Sequence, residues 1–378
     1  MKVVFPYIAQ THQIPHSLPI AAELAMQRPD WDVRLVCSPD AQERVARRLV
    51  ALYPQARLPV ERFRPNAFIA WLQKRLGSGI PEKSLTLIRN RRLFAEVDAA
   101  VVPERTSLIL RKLWLPRLKM IWTSHGAGDR AIGYAADLIR FDYQLLAGPK
   151  QVERMRADGC LREDGHFVGC YPKFDLVARL DARRQKLFAN DRPTVLYNPH
   201  FEPGLSSWPR DGFAVLDHFA QQGDWNLIFA PHIRMLDRHQ PEVLALLEKY
   251  RAIKHLLIDT GSDASIDMTY TQAADVYLGD VSSQIAEFMV RPRPCLFINS
   301  HGVRWQGDPN YLCWQLGPVI NSVAALGSAL AEAKATHPQW IERQRAYFRD
   351  TFDGEPEAIG CSAAGGAAAI AAFLEGQA

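Results

Sequence analysis

The sequence predicts two α/β domains, each built on a parallel sheet. Three observations carry this. Short apolar runs alternate with stretches of helical periodicity along most of the chain. The runs are continuous rather than alternating, as strands buried on both faces of a parallel sheet require. And 378 residues, at about 100–200 residues per domain, fit two domains.

The elements follow in order. "KVVFPYIA" reads as the first strand; its apolar run is short and broken by Pro6, so it is not read as a signal peptide. A helix over 17–27, the strand "DVRLVCS" and a helix over 40–52 come next. After a basic segment stand the strands "AAVVPE", "KMIWTSH" and "YQLLAG", then a helix near 149–158 and the strand "GHFVGC". A charged stretch, "DARRQKLFANDRPTV", marks a boundary near 180–192. Beyond it the alternation resumes: "PTVLYNPH", a helix over 210–222, "NLIFAPH", a helix over 239–251 and "KHLLIDT". A helix near 266–274, "ADVYLGD", a helix over 282–290, "PCLFINS" and a helical stretch over 321–349 complete it. The expected division is 1–182, 183–350 and a C-terminal tail or helix over 351–378.

Composition narrows the class. The six cysteines, at 37, 160, 170, 295, 313 and 361, are scattered without a CxxC pair, which suggests neither a disulfide framework nor a zinc site and fits a reducing cytoplasm. No stretch approaches the roughly 20 apolar residues of a membrane span. Net charge is only +4, but residues 61–120 carry thirteen Lys and Arg against five Asp and Glu. Phe63, Phe68, Ile69, Trp71, Leu72 and Leu76 interleave with Lys74 and Arg75 there. This pattern is either a surface helix with a solvated basic side or a face for anionic lipid or a phosphorylated acceptor. No nucleic-acid module is visible.

In parallel α/β sheets, ligands bind at the carboxyl ends of the strands. Polar residues gather there in this sequence. "IWTSHG" ends in His125 and Gly126, "VLYNPH" in Asn198 and His200, "LIFAPH" in His232, and "VYLGDVSS" in Asp280, Ser282 and Ser283. His12 and His16, just past the first strand, are further candidates for the same cleft. Asp280 or Ser282 also has the chemistry of a helix N-cap. A helix start with exposed hydroxyls is equally an anion site, usually for phosphate. Glu287, four residues after Ser283, shares that helix face.

Other motifs carry less. "HGAGDRA" holds G-x-G-x-x-A at Gly126, Gly128 and Ala131, but no acid closes the next strand to hold a ribose, so a dinucleotide fingerprint is not supported. The remaining use of Gly126 and Gly128 is a backbone able to approach a ligand closely. There is no P-loop and no G-x-S-x-G elbow. "DWD" at Asp30–Asp32 lies at the wrong end of the sheet for a metal.

Taken together, the pieces resemble the CDP-glycerol glycerophosphotransferase family, which makes teichoic-acid-like polymers and related capsule components. "WTSHG" resembles its W-H-G signature, giving His125; "GCYPKFD" resembles G-Y-P-R, giving Tyr171 and Pro172 with Lys173 for Arg. "APHI" gives His232, and "GDVSSQIAE" resembles T-D-Y-S-S-x-x-x-E, with Asp280, Ser282, Ser283 and Glu287 in register. Val281 replaces the aromatic residue, and "YNPHFEPGLSSW" departs from the family's Y-A-P-T-type stretch.

The resemblance implies a GT-B-like architecture, two Rossmann-type domains with parallel sheets facing a central cleft. It implies a transferase in cell-envelope synthesis, with a CDP-linked donor and a polyol-phosphate, glycan or glycolipid acceptor. His125 is then the general base and His232 steadies phosphate charge or leaving CMP. Ser282 and Ser283 meet the pyrophosphate, Asp280 orients their loop, and Glu287 holds a ribose or donor hydroxyl. Gly126, Tyr171 and Pro172 join the donor side. No cofactor is implied, and no metal set is visible, although a loosely held magnesium is compatible with such chemistry. The alternative is a GT-B glycosyltransferase or nucleotide-sugar epimerase with a UDP- or GDP-linked donor. Peripheral contact with the inner face of an anionic membrane would bring a lipid-linked acceptor within reach.

Overall fold

The computed structural model describes residues 1–38, 40–64, 82–129, 134–180, 186–235, 240–358 and 360–376. The chain forms two compact units.

The first unit is built on a seven-stranded sheet of β1 (Lys2–Tyr7), β2 (Asp32–Cys37), β3 (Val60–Arg62), β4 (Ala99–Val102), β5 (Lys119–Thr123), β6 (Tyr143–Leu146) and β7 (His166–Val168). Its order is β3-β2-β1-β4-β5-β6-β7, with every pairing parallel. The second unit carries β8 (Thr194–Asn198), β9 (Asn226–Phe229), β10 (Leu256–Ile258), β11 (Val276–Gly279), β12 (Cys295–Ile298) and β13 (Val319–Ile320). They run β10-β9-β8-β11-β12-β13, again all parallel. Both orders are of the Rossmann type, so the expected fold class holds. Each sheet reverses its winding at one place: between β1 and β4, where Val3 pairs with Ala99, and between β8 and β11, where Val195 pairs with Val276.

Each central strand is buried along its length, which is why it reads as an unbroken apolar run. The cores form around Val102, Met120, Trp122 and Phe141 in one unit, and around Tyr197, Phe229, Leu278 and Leu296 in the other. Two strands escape the sequence reading, β3 and β13. The first is only half buried and the second has two residues. The stretch read as helical over 321–349 holds two helices. A helix runs Leu326–Thr336 and another Ile341–Phe352, with a 3-10 turn at His337–Gln339 between them. Pro338 has no N–H to continue the ladder.

The division of the chain differs in detail from the sequence reading. Ala127–Gly133, placed with the N-terminal part by the sequence, belongs to the second unit. Ile359–Ala378, read as a separate tail, belongs to the first. The Ala/Gly-rich end forms a helix, Ser362–Leu374, packed on the helix Leu18–Gln27. A side chain at Gly366 would place its Cβ 2.6 Å from the Cys170 sulfur, so this close approach requires glycine.

Of the basic segment, residues 65–81, with Phe68, Ile69, Trp71, Leu72, Lys74, Arg75 and Leu76, lie outside the described residues. Phe63 is buried, and a helix spans Glu82–Arg89. Among the described residues no helix is long and apolar enough to cross a membrane.

Candidate functional site

The sequence-predicted residues fall into two groups, one at the carboxyl ends of each sheet's strands.

In the first unit, β5 ends at Thr123 and His125 follows two residues on. Its Nδ1 lies 2.5 Å from the Pro103 carbonyl oxygen, just past the end of β4. A carbonyl can only accept, so Nδ1 carries the proton and Nε2 holds the free lone pair. His125 keeps a solvent-accessible face. The protein packed around the rest of the ring pushes its pKa below the ordinary histidine value. The bond to Pro103 opposes that shift and Lys83 adds to it. The carbonyl contact fixes the tautomer of the neutral ring, with the proton on Nδ1.

His12 stands beside it, with ring centroids 6.1 Å apart. His16 is buried, and its Nδ1 has no hydrogen-bond partner. Burial, then the charges of Lys173, His125 and His12, hold its pKa well below the usual value. Tyr171 packs edge-on to His16 at 5.2 Å and is buried. Pro172 precedes the short helix Lys173–Arg179, which the sequence did not reveal. Gly126 folds back locally, its carbonyl accepting from the Ser124 hydroxyl at 2.6 Å.

In the second unit the centre is Asp280, only 1% exposed, directly after β11. Its Oδ1 accepts from the His200 N–H at 2.9 Å. Its Oδ2 accepts from the Ser207 N–H at 2.7 Å and the Ser207 hydroxyl at 2.9 Å. Burial outweighs these bonds and pushes the Asp280 pKa up to about 6. Asp280 thus ties the loop after β8 to the loop after β11 and has no oxygen to spare for a ligand.

The two serines differ. Ser282 is buried; its hydroxyl donates to Asn198 Oδ1 at 3.1 Å and accepts from the Gln284 N–H at 3.3 Å. Asn198 is held in turn by donating to the Ala230 carbonyl at 2.5 Å. Ser283 is partly exposed, and its side chain makes no hydrogen bond among the described residues. The Ser282 hydroxyl, one position before the N-cap, therefore takes the first helical N–H, and Ser283, at the N-cap itself, keeps the available hydroxyl. The helix they introduce, Gln284–Phe288, has only five residues and carries Glu287, which is buried.

His200 and His232 flank Phe201, with ring centroids at 4.4 and 4.7 Å, and the two imidazoles are 5.7 Å apart. The Arg234 guanidinium sits over Phe201 at 4.3 Å. Both histidines accept through Nδ1: His200 from the Glu202 N–H at 3.0 Å, and His232 from the Arg234 N–H at 3.2 Å. In each ring Nε2 is therefore the N–H donor, suited to an anionic oxygen.

Sequence reasoning missed Asp129. It is buried and accepts from the Cys313 N–H at 2.8 Å and the Tyr347 hydroxyl at 3.0 Å. The residue before it, Gly128, packs on the serine turn: a Cβ there would come 3.3 Å from Ser283 Cβ. The close approach foreseen for this glycine is to the serine loop itself. Among the described residues no three His, Cys, Asp or Glu side chains are placed to hold a metal ion.

No family model matches the chain, and no curated protein sequence does. Solved structures do match. The wall teichoic acid polymerase TagF, soaked with CDPG, is 16% identical with a TM-score of 0.68, over 100% of this chain and 89% of that one. The UDP-N-acetylglucosamine 2-epimerase from Neisseria meningitidis, bound to UDP-GlcNAc, is 12% identical at a TM-score of 0.57, over the whole of both chains. A putative epimerase of the same kind from Listeria monocytogenes is 12% identical at 0.64, over 99% of this chain and 97% of that one. The chain therefore has the GT-B-type fold that these transferase and epimerase structures share.

Proposed function

We propose that the protein moves a glycerophosphate, or a related polyol-phosphate, from a CDP-linked donor to an acceptor hydroxyl in cell-envelope polymer or glycolipid synthesis. The observation that carries this reading is the His125 imidazole, oriented by its Nδ1 contact with the Pro103 carbonyl and with its pKa pushed below the ordinary histidine value. A binding protein has no use for an oriented base. The fold shared with TagF, and the motifs around His125, His232 and Ser283, support the same reading.

In this mechanism the acceptor hydroxyl attacks the phosphorus that bears the glycerol. A new P–O bond forms as the bond to CMP breaks. The hydroxyl proton passes to His125 Nε2. Ser283 and nearby backbone N–H groups hold the donor's phosphate oxygens. With only five residues behind it, the helix adds a small dipole at most. His200 and His232 donate through Nε2 to charge developing on the leaving CMP, the usual means of stabilising phosphoryl transfer. Glu287 holds a ribose or donor hydroxyl. The acceptor is a polyol-phosphate, glycan or glycolipid, reached by peripheral contact with an anionic membrane through residues 61–92.

A second reading is a UDP-sugar enzyme, favoured by the epimerase structures that match over the whole chain. Incubation with CDP-glycerol or CDP-ribitol and an acceptor tests the first: CMP should be released, and CDP-linked donors should raise the melting temperature. A melting shift with UDP-GlcNAc alone, and no CMP release, moves the protein to the second.

A further inference from the structure

The second unit holds a cavity at the end of its sheet opposite to the candidate site. It is about 210 Å³ and opens where β8 and β9 begin. Among the described residues four cations line it, Lys186, Arg192, Arg291 and Arg293, with Gln272 and a single carboxylate, Asp275. Asp275 Oδ2 is already engaged, accepting from the Thr194 N–H at 2.8 Å. The Lys186 pair with Asp191, at 2.7 Å, is exposed on both sides and holds that ammonium weakly. The Gln272 Nε2 is buried without a hydrogen-bond partner, a donor left waiting. Arg192 is exposed and makes no ion pair among the described residues. Arg291 and Arg293 already donate to backbone carbonyls, so the donors at hand are Arg192, the weakly held Lys186 and the Gln272 amide; with positive charge in excess around a small concavity, that is the chemistry of an anion site. The volume is below the roughly 300 Å³ of ordinary small-molecule pockets, which rules against a whole nucleotide.

We infer that this cavity binds a phosphate-class dianion, either inorganic phosphate or a small phosphomonoester. Its wall is also wired to the serine loop. The Arg293 guanidinium donates to the Arg291 carbonyl at 3.1 Å, to the Ala274 carbonyl, and at 2.9 Å to both the Thr271 and Phe288 carbonyls. It also lies over the Phe288 ring at 3.8 Å. Phe288 ends the five-residue helix that Ser283 begins. An anion that draws on Arg293 therefore pulls on the far end of that helix. Binding of the anion and of the donor should then be coupled, by the same factor in both directions. The coupling rests on the donor role proposed for Ser283; the binding does not.

Calorimetric titration of inorganic phosphate, and separately of glycerol 3-phosphate, into three proteins tests this. These are the unmodified chain, Arg192→Glu with Gln272→Leu, and Ser283→Ala. The unmodified chain and Ser283→Ala should bind alike, and the cavity variant should bind roughly 10- to 100-fold more weakly, the range for losing charge-assisted bonds. The tighter of the two ligands identifies the source. No binding by the unmodified chain, or a loss in Ser283→Ala, overturns the inference. Repeating a CDP titration at saturating phosphate reads the coupling. An unchanged CDP affinity removes the link through Arg293. If CDP does not bind at all, the donor reading fails while the phosphate titration still decides the cavity.

Discussion

Replacing Asp280 by Asn should destabilise the protein most in acid and least near neutrality, the reverse of the usual carboxylate. Three donors converge on this buried group: the His200 N–H, the Ser207 N–H and the Ser207 hydroxyl. Asn keeps one oxygen, so its NH2 must face a donor. The hydroxyl has a second partner in Tyr197 at 2.9 Å and can turn away, but a backbone N–H cannot. One stranded donor costs roughly 1–3 kcal/mol. Against this stands the cost of the buried charge. A folded pKa of about 6 against an ordinary 3.8 is a penalty of about 3 kcal/mol once the group is ionised. With the folded pKa raised, the group's contribution is fully present below about pH 3.8 and is lost as pH rises through about 6. The Asn variant has no such loss. Urea melts of both proteins at pH 4, 5.5 and 7.5 should show the difference between them shrinking by up to about 3 kcal/mol. Other titrating groups cancel in the comparison. A difference that stays flat, or grows with pH, would refute the argument, because it would mean that the hydrogen bonds outweigh burial.

His125→Ala should lower transfer by roughly 10²–10⁴ while CDP affinity stays unchanged. In the native protein the acid limb of kcat/KM should fall below the ordinary histidine pKa of about 6.5, since its base is depressed; a limb above that value contradicts the assignment. Ser282→Ala should lower the melting temperature, and Ser283→Ala should weaken CDP but not free cytidine. The opposite pattern would exchange their roles. His16, buried and neutral, should cost stability as pH falls below about 6.5, where the unfolded chain gains a proton that the folded one refuses. His16→Gln should flatten that slope in denaturant melts, and an unchanged slope would place the acid sensitivity elsewhere.

The strands were legible because burial on both faces leaves an unbroken apolar run, as in "AAVV" at β4 or "CLFI" at β12. The edges were not. β3 is Val-Glu-Arg with half-exposed side chains, and nothing in three such residues distinguishes an edge strand from a loop. The path of the chain between units was equally hidden. Whether the helix Ser362–Leu374 packs on the first unit or the second is decided by small residues fitting against Cys170 and the helix Leu18–Gln27, contacts with no local signature.

At the site, the histidines could be found because strand ends could be found, and parallel sheets put their chemistry there. What the pattern of two serines could not decide was which one faces a ligand. That depends on Asn198, 84 residues away, taking the hydroxyl of Ser282, while the Ser283 side chain makes no hydrogen bond among the described residues. Asp129 shows the same limit at longer range, since Tyr347 is 218 residues on. Its anchorage also explains the glycine before it. Fixed by Cys313 and Tyr347, the segment lies so close to the serine turn that a Cβ at Gly128 would press on Ser283. A G-x-G that resembles a dinucleotide fingerprint is thus accounted for by packing: Gly128 is small because the serine loop is its neighbour.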